Sequence, residues 1–499
     1  MKFLNKERGL KILFVASEAA PYVKIGGLGE VLYSLPKALC ELGHDARIMI
    51  PCYASIQAEK YPMTMHHEGL KVPNGENDND IICNVKVLLN SQRTCPMAYF
   101  LENQEYFEKR GRVYGYDDDA ARWAILCRGS LEFIRNNTWI PDIIVASDWQ
   151  GGLIPNFIKT EYANDPVLSK IASVFSIHNL YFQGMFDQRH INDLEYDDGQ
   201  SKVPPINDAR LLKTNFMRRG IRYADVVNTV SQNYAQEITT PEFGELLENI
   251  LQERRSRLFG ILNGIDYIIN DPETNPHVEF KYSIKNIKER QKNKAMLQKK
   301  FNLEEDPNVP IFGIVSRLVE QKGFELLLDT IKPLLDNYKF QLIVLGSGDS
   351  KYLSFFSELE KQYHQVATHL SYDGALPHMI YSGADVILIP SRFEPSGLTQ
   401  MEAMRYGALP LVRKTGGLAD SVEGYYPDSH GGNGFVFEKF DKFAFFGAFV
   451  RALETYHYKT IWAAIQKRAM SANFSWNKSA VEYVSLFKKA IAFNKESKE

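Results

Sequence analysis

Residues 385–404, DVILIPSRFEPSGLTQMEAM, decide the fold class of this chain. The apolar run at 385–390 is continuous rather than alternating, which is typical of a strand buried on both faces of a parallel sheet. A turn with Pro395 and Gly397 follows, and helical spacing begins near Leu398. A buried strand that leads through a turn into a helix is the repeating unit of an α/β fold.

Seven other apolar runs end in small or polar residues in the same way. They are KILFVASE (11–18), ARIMIP (46–51), DIIVASDW (142–149), IASVFSIHN (171–179), DVVNTVS (225–231), IFGIVSR (311–317) and FQLIVLGSG (340–348). Segments with helical periodicity, such as 28–43 and 324–338, separate the runs, which predicts doubly wound, mainly parallel sheets. Ligands of such sheets bind beyond the carboxyl ends of the strands, so the polar residues there are the candidate site residues.

The length of 499 residues is enough for two to four domains. The strand–helix pattern is interrupted at NGIDYIINDPETNP (263–276), and a Lys-rich helix (285–301) follows. We predict an N-terminal domain over 1–268 and a C-terminal domain over 269–477, with a ligand cleft between them. The last helix (478–495) can pack on either domain.

Composition excludes several classes of function. The chain has 58 basic and 61 acidic residues, a formal net charge of −3, which gives no footprint for nucleic acid or an anionic membrane. No apolar stretch reaches the length of about 18 residues that a membrane span needs. Five cysteines without CxxC spacing indicate reduced, buried thiols of a cytoplasmic protein. No metal is predicted, because Asp117–Asp119 reads as a polar turn.

The loop SEAAPYVKIGGLGEV (17–31) lies between a predicted strand and helix. Gly26 and Gly27 let backbone N–H groups approach an anionic ligand closely, and Lys24 adds a full charge. A plain tight turn is the alternative interpretation. The K-x-G-G-L-x-acid pattern of this loop recurs at 414–420, which indicates two related halves unless the match is coincidental.

The segment SRLVEQKG (316–323) ends another predicted strand with two cations. Arg317 and Lys322 can clamp a diphosphate, Arg as a planar fork and Lys as a point charge. Such a clamp can replace a divalent metal in stabilising a leaving diphosphate. The alternative is a surface Arg and a Lys at a helix start.

The turn after the strand at 385–390 combines carboxylates with free amides. Glu394 lies in the turn and Glu402 about two helical turns later, while the amides at 397–399 start a helix and can bind an anion. A sugar nucleotide has the matching layout of sugar hydroxyls, diphosphate and ribose hydroxyls. The alternative is that Glu402 is a solvated helix residue.

The segment SIHNLYFQG (176–184) places a histidine directly after a predicted strand. His178 at this position, followed by Asn and a Gly turn, is a candidate site residue. A lone histidine is more often a structural residue, and this remains the alternative.

These motifs together resemble the bacterial glycogen synthase and plant starch synthase family of retaining glucosyltransferases. KIGGLGEV resembles the family's K-x-G-G-L-x-D-V, HNLYFQG its H-N-L-x-Y-Q-G, NGID its N-G-[IV]-D, and SRLVEQKG its S-R-L-x-x-Q-K-G. The block at 390–420 resembles the family's long donor-site segment. The resemblance covers nearly the whole chain and implies the GT-B fold, in which two Rossmann-like domains with parallel sheets face each other across a cleft.

The resemblance also implies a reaction and four catalytic residues. Glucose passes from ADP-glucose to the 4-hydroxyl of an α-1,4-glucan with retention, by a front-face route without metal or cofactor. Arg317 and Lys322 would stabilise the departing ADP, Glu394 would hold glucose hydroxyls, and His178 would contact the transferring glucose.

Further residues are implied in substrate binding. Tyr372 would lie near the adenine, and Asp148 and Asn263 would lie on the walls of the cleft. The full set is Lys24, Gly26, Gly27, Asp148, Asn263, Tyr372, Ser396, Gly397, Leu398, Thr399 and Glu402.

Two alternatives remain open. The first is a related retaining transferase that uses UDP-glucose or another acceptor, which two departures from the family pattern suggest. Glu402 stands where these synthases often have Tyr, and Ser147 and Gln150 replace the histidines of H-D-W-H. The second is a non-catalytic glucan-binding relative, which the intact site motifs disfavour.

Overall fold

A computed structural model describes residues 8–75, 79–89, 96–184, 197–428 and 431–498. The chain divides into two compact units. The N-terminal unit contains residues 1–230, 235–261 and 476–499, and the C-terminal unit contains residues 231–234 and 262–475. The main change of unit therefore follows Ile261, earlier in the chain than the sequence predicts.

The N-terminal unit is an α/β layer structure built on one sheet. Its strands are β1 (Lys11–Val15), β2 (Asp45–Pro51), β3 (Met63–Val72), β4 (Ile81–Leu88), β5 (Met97–Glu102), β6 (Ile143–Ser147), β7 (Ala172–Ile177), β8 (Val226–Thr229) and β9 (Leu258–Gly260). Its first helices are α1 (Gly27–Glu41), α2 (Asp119–Arg135), α3 (Asp148–Gly151), α4 (Leu153–Lys159), α5 (Phe216–Tyr223) and α7 (Glu248–Glu253). A further helix, α6 (Gln232–Glu237), is divided between the units, because residues 231–234 are assigned to the C-terminal unit.

The strand order is β3-β4-β5-β2-β1-β6-β7-β8-β9. The two pairings of β4 are antiparallel, and the pairings from β5 to β9 are parallel. The central strands β1, β6 and β7 are almost entirely buried, as their continuous apolar runs predict. Because these three are neighbours and parallel, the residues that follow them lie at one edge of the sheet.

The C-terminal unit repeats this architecture in simpler form. Its strands are β10 (Ile311–Val315), β11 (Gln341–Leu345), β12 (Val366–His369), β13 (Val386–Ile389), β14 (Leu409–Arg413) and β15 (Phe435–Phe437). Its helices are α8 (Arg290–Lys300), α9 (Glu325–Asn337), α10 (Ser350–Gln362), α11 (Leu376–Gly383), α12 (Thr399–Arg405), α13 (Gly416–Ser421), α14 (Lys442–His457) and α15 (Lys459–Ser471).

All six strands are parallel, in the order β12-β11-β10-β13-β14-β15. This is the Rossmann order, and its direction reverses between β10 and β13, where a crevice opens at the carboxyl ends. Asp385 fixes these two strands at their amino ends, because its carboxylate accepts the Ile311 amide at 2.9 Å and pairs with Lys294 at 2.8 Å. Both partners of this ion pair are fully buried, and removing either one would strand a charge.

The last helix, α16 (Trp476–Glu496), belongs to the N-terminal unit, where it packs on α1 and β7. Cys52, Cys83 and Cys127 are buried free thiols, but Cys40 is disulfide-bonded, so the prediction of reduced thiols is wrong for Cys40. Among the described residues, no helix is long and apolar enough to cross a membrane.

Candidate active site

A cavity opens at the crevice between β10 and β13 of the C-terminal unit. It is enclosed by the end of β10, the short 3-10 turn Glu320–Lys322, the end of β13 and the loop that leads into α12. Five sequence-predicted residues line it directly: Lys322, Glu394, Gly397, Leu398 and Thr399. The structure therefore brings the second and third motifs of the sequence together in one place.

The central contact in the cavity is an ion pair between Lys322 and Glu394. The Lys322 ammonium lies 2.6 Å from Oε2 of Glu394, and the Ser391 hydroxyl donates to the same oxygen at 2.9 Å. Both charged side chains are largely buried, with 18% and 9% of their surface exposed. A paired charge of each sign at the bottom of a crevice can meet both an anionic group and neutral hydroxyls of a ligand.

The turn that carries Lys322 is held against β13 by a glycine. Gly323 has a φ of 71°, and a Cβ atom there would overlap the carbonyl oxygen of Pro390. Only glycine allows this close approach of two backbones. Lys322 therefore reaches Glu394 because the next residue has no side chain.

The loop after Glu394 is fixed by the second glycine motif. The Gly417 amide donates to the carbonyl oxygens of Glu394 and Pro395, each at 3.1 Å, and Cβ atoms at Gly416 and Gly417 would overlap that loop. The buried side chain of Gln400 ties the loop from the other side through Ser396 O at 3.1 Å. The K-T-G-G-L-A-D segment thus shapes the loop by packing.

The start of α12 presents unused hydrogen-bonding groups. Within the described part of the chain, the amides of Gly397, Leu398 and Thr399 donate to no protein acceptor. The hydroxyl of Ser396, a residue that is 7% exposed, also has no partner there. Amides at the start of a helix carry partial positive charge, so this loop can bind an anionic or polyhydroxyl ligand.

Glu402 is directed toward a buried tyrosine. The hydroxyl of Tyr381 lies close to Glu402 and Thr399, and burial together with the Glu402 charge raises the pKa of Tyr381 far above 10. Glu402 is half-buried. It is therefore positioned by the core rather than being a solvated helix residue.

Three predicted residues of the C-terminal unit stand apart from the cavity. Arg317 is exposed, and no hydrogen bond or ion pair of its side chain occurs among the described residues. Tyr372 is 89% exposed in the loop after β12. Asn263 is 6% exposed, and its side-chain oxygen has no partner in the described residues.

In the N-terminal unit, Asp148 and His178 are in contact. The Asp148 carboxylate accepts the amide of His178 at 2.7 Å and that of Asn179 at 3.3 Å. The imidazole Nε2 lies 3.2 Å from the Ser176 hydroxyl. Burial lowers the pKa of His178 to about 4, so the imidazole is neutral at pH 7 and exchanges hydrogen bonds without carrying charge.

Asp148 has both an unfavourable backbone conformation and a raised pKa. Its φ of 49° lies in the left-handed region, which Asp tolerates better than most residues. Burial raises its pKa from 3.8 to about 7, and the amides of His178 and Asn179 offset only part of this rise. Stored strain and a displaced pKa together are typical of a functional site.

The glycine loop lies at the start of α1, next to a buried carboxylate. Glu18 accepts the amides of Ile25 and Gly26, the latter at 3.3 Å. Burial raises the pKa of Glu18, while these amides and Lys24 oppose the rise. Lys24 is exposed and pairs with Glu30 at 2.8 Å. Gly26 and Gly27 are exposed, so their backbones are open to a ligand.

Sequence reasoning missed several residues that build these sites: Glu18, Ser391, Gln400, Gly323 and Tyr381. A signal existed for Glu18, since it ends the KILFVASE run at the carboxyl end of β1. The others act through backbone approach or buried hydrogen bonds, which leave no pattern in a single sequence.

Comparison with known families divides the chain in two. Residues 11–253 match the family described as the starch synthase catalytic domain. Residues 296–466 match the family described as glycosyl transferases group 1. The two matches fall within the two structural units, apart from residues 231–234.

Individual relatives extend over nearly the whole chain. The glycogen synthase of Desulforudis audaxviator is 39% identical over 496 residues, covering 97% of each chain. The glycogen synthase of Thermotoga petrophila is 39% identical and covers 97% of this chain and 99% of its own. The catalytic domain of starch synthase IV from Arabidopsis thaliana, solved with ADP and acarbose, superposes with a TM-score of 0.82 at 31% identity, covering 97% of this chain and 100% of that one.

A more distant structure shares the fold alone. Sucrose-phosphate synthase from Thermosynechococcus elongatus superposes with a TM-score of 0.58 at 16% identity, over 96% of this chain and 99% of that one. The predicted fold class, GT-B with two Rossmann-like domains, is confirmed, and so is the prediction that the chain is a hexosyltransferase. The chain belongs to the glycogen synthase and starch synthase family.

Proposed function

We propose that this protein transfers glucose from ADP-glucose to the non-reducing 4-hydroxyl of an α-1,4-glucan, with retention of configuration. The observation that carries the proposal is the Lys322–Glu394 pair in the cavity beside the free amides of residues 397–399. Family membership supports the reaction, and the starch synthase bound to ADP and acarbose supports the substrate classes.

The donor diphosphate is assigned to Lys322, Arg317 and the amides at the start of α12. A bound phosphate oxygen competes with Glu394 for the Lys322 ammonium, and the Glu394 carboxylate is then available to glucose hydroxyls. Arg317 is exposed and its side chain has no protein partner among the described residues, so it loses no ion pair when it turns toward the diphosphate. Positive charge stabilises the departing ADP without a metal on this route.

The remaining donor contacts fall to Ser396, Glu402, Tyr372 and Asn263. The unpartnered oxygens of Ser396 and Asn263 suit sugar or ribose hydroxyls, because a bound hydroxyl satisfies a buried polar atom. Glu402, which lies beside the buried Tyr381 hydroxyl, would bind the ribose. Tyr372 would cover the adenine.

His178, Asp148, Lys24, Gly26 and Gly27 supply the contacts from the N-terminal unit. His178 is neutral at pH 7, so its role is to hold the transferring glucose by hydrogen bonds rather than to protonate it. Asp148 accepts hydroxyls of the acceptor, while Lys24 and the glycines meet the donor phosphates. A front-face route, in which the leaving phosphate accepts the proton of the acceptor hydroxyl, uses these residues for positioning and charge stabilisation.

UDP-glucose is the second candidate donor. Tyr372, the residue expected at the base, is 89% exposed, so its side chain is not held in a position that would select adenine. Glu402 would bind the ribose of either nucleotide equally. Discrimination between ADP-glucose and UDP-glucose would therefore depend on contacts worth a few kcal/mol.

The test is incorporation of radiolabelled glucose into glycogen from ADP-glucose and from UDP-glucose, measured side by side. Incorporation from ADP-glucose supports the proposal, incorporation from UDP-glucose alone supports the second candidate, and incorporation from neither refutes both. We expect Lys322→Ala and Glu394→Ala to lower kcat by about 100-fold or more, the range for loss of a transition-state contact. Lys339→Ala is the matched control, since Lys339 forms an exposed ion pair with Asp306.

A further inference from the structure

The carboxylate of Glu18 divides the amides of the glycine loop into two sets. Glu18 is 3% exposed and lies where β1 ends, beside the first turn of α1. Its carboxylate accepts the amides of Ile25 and Gly26, and the nearby amide of Gly29 helps to lower its pKa. This side chain therefore occupies one half of the N–H groups that the loop offers.

The other half of the loop remains open. Within the described residues, the amides of Gly27 and Leu28 donate to no protein acceptor. Gly27 is exposed and Leu28 is half-buried, so both amides are within reach of a ligand. Gly26, which precedes α1, provides no side-chain cap for the helix. An internal anion thus satisfies the inner amides and leaves an outer pair for an external anion.

Burying a carboxylate beside the glycine loop costs free energy, so we expect its charge to stabilise the conformation of the loop. Desolvation is the largest influence on Glu18, and the three amides and Lys24 only oppose it. Hydrogen bonds from amides to a charged oxygen are roughly twice as strong as those to a neutral one. The charge on Glu18 therefore fixes the loop more firmly than a neutral side chain of the same shape.

We propose that Glu18 is the positioning residue of the donor site: it orders the loop at 24–29 so that the outer amides of Gly27 and Leu28 and the Lys24 ammonium meet the diphosphate of the nucleotide sugar. This proposal rests on the proposed function, which assigns the loop to the donor. A loop that is ordered before binding does not spend binding energy on its own ordering. Loss of the charge should therefore weaken donor binding specifically.

Steady-state kinetics of Glu18→Gln test this role. The substitution keeps the shape and removes the charge, and we expect KM for the nucleotide sugar and the inhibition constant of ADP both to rise about tenfold, a change of about 1.4 kcal/mol. KM for glycogen should stay within twofold of wild type. Glu18→Asp, which is one methylene shorter, should cost at least as much. Asp441→Asn is the matched control, since Asp441 accepts the amides of Phe443 and Ala444 at the exposed start of α14.

A second measurement uses the wild-type protein and does not depend on variants folding. Residue-resolved hydrogen exchange should show the amides of Ile25 and Gly26 protected without ligand, and those of Gly27 and Leu28 protected only when ADP is added. An inhibition constant of ADP within twofold of wild type in Glu18→Gln, or protection of all four amides without ADP, overturns the role of Glu18 alone. A rise in KM for glycogen only would place Glu18 at the acceptor and overturn it as well. Failure of the wild type to use either donor overturns the proposed function together with this inference.

Discussion

Replacing Asp148 with Asn should stabilise the N-terminal unit at alkaline pH and leave it little changed at acid pH. The Oδ1 atom of Asn can still accept the amides of His178 and Asn179, and Asn tolerates the left-handed φ of 49° at least as well as Asp. The substitution therefore removes a buried negative charge without removing its hydrogen bonds.

The size of the effect follows from the pKa. The folded protein raises the pKa of Asp148 from 3.8 to about 7, so it holds the proton more tightly than the unfolded chain does. The stability contribution is complete below pH 3.8 and is lost as the pH rises through 7. At 1.36 kcal/mol per pKa unit, the wild type should lose about 3 kcal/mol between pH 5 and pH 8 from this group. The Asn variant does not titrate and should keep that stability.

Urea unfolding at pH 5 and pH 8 measures this difference. Tryptophan fluorescence is suitable, because four of the five tryptophans belong to the N-terminal unit. Asp165→Asn gives a control of opposite sign: although burial raises its pKa, the amides of Leu168 and Val167 lower it overall. That variant should be destabilised at pH 8. If Asp148→Asn loses stability with pH exactly as the wild type does, Asp148 is already ionised at pH 5 and the reasoning is wrong.

Two further substitutions test the geometry of the C-terminal cavity. Gly323→Ala should destabilise its unit by about 2–4 kcal/mol in urea and raise donor KM, because the new Cβ meets a strand carbonyl and shifts Lys322; full activity would show that the turn can move freely. Tyr381→Phe should cost about 1.5–3 kcal/mol, because it removes a buried hydroxyl that lies beside the Glu402 carboxylate. Tyr363→Phe, which removes an exposed tyrosine–carboxylate bond, should cost less than about 0.5 kcal/mol, and an equal loss in both variants would contradict the role of burial.

The sequence predicted the strands and the residues that end them better than it predicted side-chain contacts. Continuous apolar runs report burial on both faces, so Lys322 and Glu394 could be placed at one sheet edge before their ion pair was known. The direction of the Arg317 side chain does not follow from the burial of its strand, since it depends on the rotamer and on the bound ligand. Nor could the sequence show that Tyr381 would lie beside Glu402, because the two residues belong to different helices.

The two glycine motifs show why similar sequence is not enough to assign a role. Both loops follow a strand and donate backbone N–H groups to oxygens nearby. In the loop at 414–420 the acceptors are the carbonyl oxygens of Glu394 and Pro395, so the loop packs against the chain after β13 instead of facing a ligand. In the loop at 24–30 the acceptor is the single carboxylate of Glu18, which leaves two amides open. The acceptor that the fold places beside the motif, rather than the motif itself, therefore decides whether the loop builds the scaffold or binds the ligand.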